Sequence, residues 1–165
     1  MSRIIYFAYG SNMSCRRLQA RVPSAERVSL GILDGHALAF HKISNIDFSA
    51  KCNIVAAENE TVYGALFQIE QIELPVLDAY EGIGKGYERR TIEVRDHLGQ
   101  YVEAWTYMAT SIDPSLRPYT WYKRHVLEGA REIKVPLEYL RLIEQVDAIE
   151  DPDPERASRE LAIYG

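Results

Sequence analysis

Tyr6-Phe7-Ala8-Tyr9-Gly10-Ser11-Asn12-Met13 is the stretch on which the reading of this chain turns. An apolar run beginning at Ile4 leads into it and reads as a first strand. Ser14 follows it as an N-cap for a helix opening at Cys15-Arg16-Arg17-Leu18. The backbone thus passes from strand to helix within a few residues. Gly10 allows close backbone approach, and Ser11 and Asn12 are short polar residues that tolerate unusual dihedrals. Successive N–H groups can then face one space beside a helix N-terminus, which suits an anion or a developing oxyanion. The same composition also occurs in plain, well-capped turns.

Downstream, residues 27–33 alternate as a second strand, and Asp34-Gly35 reads as a hairpin turn into a third over 36–41. A polar loop without periodicity spans 44–51. Residues 52–57 and 61–69 read as two strands joined at Glu58-Asn59-Glu60, and Gly64 inside the second signals a bulge or a close neighbour. Over 70–81 the period becomes helical, with Ile72, Val76, Leu77 and Tyr80 on one face and Pro75 placed in the first turn. Gly82 stops that helix, and a loop with Gly82, Gly84 and Gly86 precedes a hairpin of 87–94 and 101–108. Two helices follow: 119–132 with Tyr122, Val126, Ala130 and Ile133 inward, and 136–149 with Leu137, Leu140 and Ile143 inward. Asp151-Pro152-Asp153-Pro154 ends the second helix, leaving a short acidic tail.

Six or seven mostly antiparallel strands with several helices, and no regular strand-helix-strand alternation, predict an α+β fold. We expect a small, mixed, barrel-like sheet, closed or nearly so, with flanking helices. A length of 165 residues, 47% of them hydrophobic, suits one domain over 1–165. The net charge of -5, with no Lys/Arg-rich face, argues against a nucleic-acid binder and against anionic membranes. No apolar run reaches the roughly 18 residues of a membrane span, and no charged-then-apolar leader opens the chain. Cys15 and Cys52 are therefore expected as free thiols in a cytoplasmic protein.

Chemistry has few candidate carriers. His36, His41, His97 and His125 lack paired ligands at a metal-binding spacing, so no metal is expected. Ser11 lacks the flanking glycines of a nucleophile elbow. Cys15 stands inside a helix N-terminus, which favours a thiolate, yet packing of that helix is the expected role. Glu81 is the stronger candidate. At a helix C-terminus it feels the negative end of the dipole, and turned into an apolar pocket its pKa would rise, as suits a general base that later gives up its proton.

Taken together, the Tyr9-Gly10-Ser11-Asn12-Met13 turn, Tyr80-Glu81-Gly82 with Gly86-Tyr87, and the downstream runs from Pro118 to Lys123, Gly129 to Glu132 and Val135 to Tyr139 resemble the gamma-glutamylcyclotransferase family. The downstream runs are similar to the branch that acts on gamma-glutamyl amino acids. The resemblance implies intramolecular closure of a gamma-glutamyl compound to 5-oxoproline, with release of an amino acid or amine. It implies Glu81 as catalytic acid/base, and Tyr9, Gly10, Ser11, Asn12, Tyr87 and Tyr122 as substrate-binding residues. It also implies a small-molecule substrate, a homodimer and no cofactor, because the reaction moves no electrons and needs no Lewis acid. Two alternatives stand beside it, a cyclotransferase restricted to gamma-glutamyl amines and a non-catalytic module that binds the same anions.

Overall fold

The computed structural model describes residues 2–165. Five strands close into a barrel in the order β1-β3-β2-β4-β5. The chain runs β1 (Arg3–Ala8), a 3₁₀ turn (Ser11–Met13), α1 (Cys15–Arg21), β2 (Glu26–Ile43) and β3 (Ala50–Glu70). It continues through α2 (Leu74–Glu81), β4 (Tyr87–Arg95), β5 (Tyr101–Ala109), α3 (Thr120–Glu132), α4 (Leu137–Glu144) and α5 (Pro154–Leu161). Every strand pairing is antiparallel except β1 with β5, where Tyr6 meets Trp105 in parallel. The expected barrel-like α+β architecture with flanking helices is present. Among the described residues no helix is long and apolar enough to cross a membrane.

The closure is organised by Phe7. Gly31 of β2 and Gly64 of β3 are register partners, and a Cβ on either would fall 2.8 or 2.7 Å from Phe7 Cε1. The paired glycines leave a slot that the Phe7 ring fills, fully buried. A Cβ at Gly64 would also stand 2.5 Å from the Ala8 carbonyl oxygen, so Gly64 marks a close neighbour rather than a bulge. Burying a ring of this size stabilises by about 1.5–3 kcal/mol. Here it also fixes where β1 ends, and so where the turn after it begins.

Four sequence-based expectations are corrected. Asp34-Gly35 does not reverse the chain: β2 runs through it with a register shift between Asp34 and His36, and β3 likewise runs through 58–60. The positive φ of Gly35 (73°) and of Asn59 (64°) kinks one long ribbon. Arg95 of β4 then clamps the Asp34 carboxylate at 2.8 and 3.0 Å. The reversal falls instead in the polar loop at 44–49, so the expected strands merge into five.

The second correction concerns α2, where only Leu77 is buried while Ile72, Val76 and Tyr80 are exposed. Its apolar stripe is wider than the barrel edge it covers. The third is α4, which stops at Glu144 and turns Tyr139 and Ile143 inward, leaving Leu137 exposed. Residues after it fold back, with the Ile149 amide donating to the Pro118 carbonyl. Finally, the acidic tail is no loose end. Asp153 caps α5 by accepting from the Glu155 and Arg156 amides, and Pro154 takes the first helical position.

Candidate active site

At the end of β1 the backbone is held on both sides. Thr106 Oγ1 donates to the Phe7 carbonyl at 2.9 Å, and the Tyr9 hydroxyl donates to the Tyr107 carbonyl. Gly10 follows with no room for a side chain. A Cβ there would lie 2.9 Å from Cys52 Cβ and 3.3 Å from the Tyr122 hydroxyl. The next three residues form the 3₁₀ turn, in which Met13 N–H bonds the Gly10 carbonyl and Ser14 N–H bonds that of Ser11. Ser14 caps α1 as expected, accepting from the Arg17 amide. Among the described residues the backbone N–H groups of Gly10, Ser11 and Asn12 have no acceptor, so three donors beside one cavity stay free.

Helix α3 closes on the back of this turn without a spacer. A Cβ at Gly129 would fall 2.3 Å from Met13 Cβ and 2.5 Å from Ser14 N, so only glycine lets the helix touch the turn. Behind it stands the tail. Arg17 Nε donates to Ser11 Oγ at 3.1 Å while its Nη1 pairs with Glu160 of α5 at 2.5 Å. Tyr164 links His125 Nδ1 (2.7 Å) to Ser14 Oγ (2.9 Å). Burial works against charge on Glu160, but the neighbouring His125 and Arg17 outweigh it and hold the carboxyl at about 2. Burial pushes His125 down to about 4.

Glu81 enters from the opposite wall. It is the last residue of α2, and Gly82 caps the helix in the left-handed region at φ 66°. Its Oε1 accepts from Asn12 Nδ2 at 2.6 Å and lies 3.7 Å from Arg21 Nη1. Asn12 Nδ2 also reaches the Tyr6 hydroxyl at 3.1 Å, and its Oδ1 accepts from Arg21 at 3.4 Å. The turn and the glutamate are thus joined through one amide side chain. Glu81 does not face a purely apolar pocket. Its surroundings are hydroxyls, an amide and a guanidinium.

The cavity between these walls has two parts. An inner chamber of about 30 Å³ is lined by Glu81, Tyr9, Gly10, Ser11, Asn12, Tyr87 and Tyr122, with Tyr6, Cys52 and Tyr107 completing it. Every residue expected from the sequence is therefore in one place. The Cys52 backbone pins two of the tyrosines: its carbonyl accepts from Tyr87, and its N–H donates to the Tyr122 hydroxyl at 2.9 Å. Burial pushes the ring hydroxyls of Tyr9, Tyr87 and Tyr122 well above their ordinary range, so all three stay neutral donors. Burial also raises the Cys52 thiol to about 12. Cys15 is raised as well, by burial and then by the Glu132 charge, and its amide donates to Glu132, so the thiolate favoured by position alone is not favoured here.

Sharing Ser11, Glu81, Tyr87 and Tyr122 as walls, an outer cavity of about 280 Å³ opens beyond. It brings in Arg17, Arg21, Lys42, Lys51 and the loop at 44–47. Sequence reasoning missed these cations because each sits on an element read for its apolar residues. Tyr6 and Tyr107 were missed for a related reason, since both read simply as strand aromatics.

A model of the AIG2-like family matches residues 61–143. The human gamma-glutamylcyclotransferase is 30% identical over 154 residues, covering 90% of this chain and 80% of the relative, and the bovine enzyme is 29% identical over 148 residues, covering 87% and 78%. Among solved structures, a gamma-glutamyl cyclotransferase superposes with a TM-score of 0.84 at 24% identity, covering 96% of this chain and 99% of that one. An uncharacterised human protein superposes at 0.88 and 25% identity over the whole of both chains. With the barrel, the turn and the glutamate already in place, these likenesses lead to one conclusion: the chain belongs to the gamma-glutamylcyclotransferase family.

Proposed function

We propose that this chain cyclises gamma-glutamyl compounds, releasing 5-oxoproline and a free amino acid or amine. The observation that carries the reading is the placement of Glu81, which lines one small chamber together with Gly10, Ser11 and Asn12, whose backbone N–H groups have no acceptor among the described residues. The substrate's own α-amine attacks the gamma-carbonyl carbon. A C–N bond forms to close the five-membered lactam, and the old amide C–N bond breaks. Because both partners belong to one molecule, the protein's tasks are to fold the substrate, move a proton and stabilise charge on the carbonyl oxygen.

Glu81 takes a proton from the attacking ammonium and returns one to the departing nitrogen. Asn12 keeps the carboxylate aimed, through the 2.6 Å bond already present. The free amides of Gly10, Ser11 and Asn12 receive the oxyanion or the substrate's α-carboxylate. Tyr9, Tyr87 and Tyr122, neutral and fixed by the barrel wall, line the remainder. A reducing cytoplasmic setting belongs to the same proposal, as both cysteines are free thiols. So does a homodimer, which the family resemblance suggests; a monomeric mass by light scattering would remove it.

The test is 5-oxoproline release from gamma-glutamyl-alanine, gamma-glutamyl-ε-lysine, a gamma-glutamyl alkylamine and glutathione. Turnover of at least one is expected. Binding without turnover across the whole panel would favour the non-catalytic module instead.

A further inference from the structure

The outer cavity has an uneven charge ledger. Arg17 is occupied by Ser11 and Glu160, Arg156 is held by Asp151 through two bonds of 2.6 Å, and Arg21 serves Asn12 and Glu81. Lys51 pairs with Asp47 at 3.1 Å and lies over the Trp121 and Tyr122 rings. Lys85 also lines this cavity without an ion pair among the described residues, but it is exposed to solvent. Lys42 differs from all of these. Only 6% exposed, it makes no hydrogen bond or ion pair among the described residues. Its ammonium rests 4.5 Å from the centre of the Tyr87 ring.

This position is built rather than incidental. A Cβ at Gly86 would fall 2.8 Å from Lys42 Cε and 2.9 Å from Nζ, so the glycine loop leaves space for the end of that side chain. The Glu81 and Asp47 carboxylates act on the Lys42 ammonium from a distance, but neither forms an ion pair with it, so it stays open to a further anion. It lines the outer cavity, which shares Glu81 and Tyr87 with the inner chamber. The inner chamber has room for only a few atoms, so with the reacting carbonyl there the rest of the substrate, its leaving amine or amino acid included, extends into the outer cavity.

We propose that Lys42 binds a carboxylate carried by the leaving group, and so selects gamma-glutamyl amino acids and peptides over gamma-glutamyl amines. The assignment rests on the cyclisation reading above. It makes Lys42 a specificity-determining residue: the α-carboxylate of the glutamyl portion is common to both substrate classes, whereas a carboxylate on the leaving group separates them. A charged hydrogen bond gained in a partly dry cavity is worth on the order of 10- to 100-fold in affinity.

Gamma-glutamyl-alanine and gamma-glutamyl-ethylamine differ by that carboxylate alone and form the test pair. The parent protein should prefer the first by at least about tenfold in kcat/KM. Lys42→Met, which keeps most of the stem and removes the charge, should lower kcat/KM for gamma-glutamyl-alanine by about 10- to 100-fold more than for gamma-glutamyl-ethylamine, a ratio that any common effect of the lost charge on Glu81 leaves untouched. Lys42→Arg should retain most of the preference. Equal loss on both substrates, or no loss on either, overturns the assignment, as does a parent that favours the amine, a result that needs no variant. A parent that releases 5-oxoproline from neither removes the cyclisation reading and this one together, which keeps the two failures distinguishable.

Discussion

The two walls of the cavity both depend on glycine, for opposite reasons. At the Ser11–Met13 turn, Gly10 and Gly129 are needed because a Cβ would collide with Cys52 or Met13. In the loop after α2, Gly82 and Gly84 have φ of 66° and 79°, and a Cβ on either would meet nothing within 4 Å. The turn is positioned by tertiary contact, the loop by backbone dihedral. An added atom therefore displaces the first wall, and at Gly82 or Gly84 merely strains the second. The unpaired N–H groups of Gly10, Ser11 and Asn12 stand on the wall that has no give, while Gly86 in the loop wall shapes the seat of Lys42.

Gly129→Ala should separate the walls most sharply. Alanine improves helix propensity by about 1 kcal/mol, but forcing α3 off Met13 and Ser14 costs up to about 3 kcal/mol. The net is a loss of up to about 2 kcal/mol in a denaturant melt, accompanied by a fall in turnover of the remaining folded protein. Undiminished turnover would mean that the turn tolerates displacement.

Acid is the next probe, because only the turn wall is braced by the tail. Glu160 is depressed to about 2, so its stabilisation is complete above its ordinary range and is lost as pH falls through about 4.5 toward 2. His125 acts in the same direction: lowered to about 4, it resists a proton that the unfolded chain accepts below about 6.5. Stability should therefore fall between pH 6.5 and 3, by an amount on the order of 2 kcal/mol after allowance for the partial exposure of Glu160. Hydrogen exchange should quicken at 11–17 before 82–86. Glu160→Gln should flatten the lower part of that profile. Simultaneous loosening of both walls would break the contrast.

The smallest effect belongs to Gly84→Ala. Left-handed alanine costs about 1 kcal/mol with nothing struck, so the melt should shift slightly and turnover stay within about twofold.

The same contrast explains what could be read from the chain. Local chemistry was legible: Ser14 caps α1, Gly82 stops α2 in the left-handed region, and the hairpin at 96–100 lies where alternation placed it. Gathering Tyr9, Gly10, Ser11, Asn12, Glu81, Tyr87 and Tyr122 around one chamber agrees with the family resemblance. Non-local features were hidden. Asp34-Gly35 carries the same residues whether it turns a hairpin or kinks a ribbon, and Arg95, 61 positions away, holds the kinked form. Lys42 looks like any strand lysine until Gly86 and Tyr87 close around it. Asp153-Pro154 announces a helix start as readily as a break, and Arg17 gives α5 its anchor on the turn.

The most direct measurement of the central claim is single-turnover release of 5-oxoproline by the parent and by Glu81→Gln, with substrate binding followed in parallel by calorimetry. The glutamine keeps size and can still accept the Asn12 hydrogen bond but takes no proton. The account predicts a rate lower by about 10² to 10⁴ with binding changed only severalfold. An undiminished rate would contradict it and take the proton transfer away from Glu81.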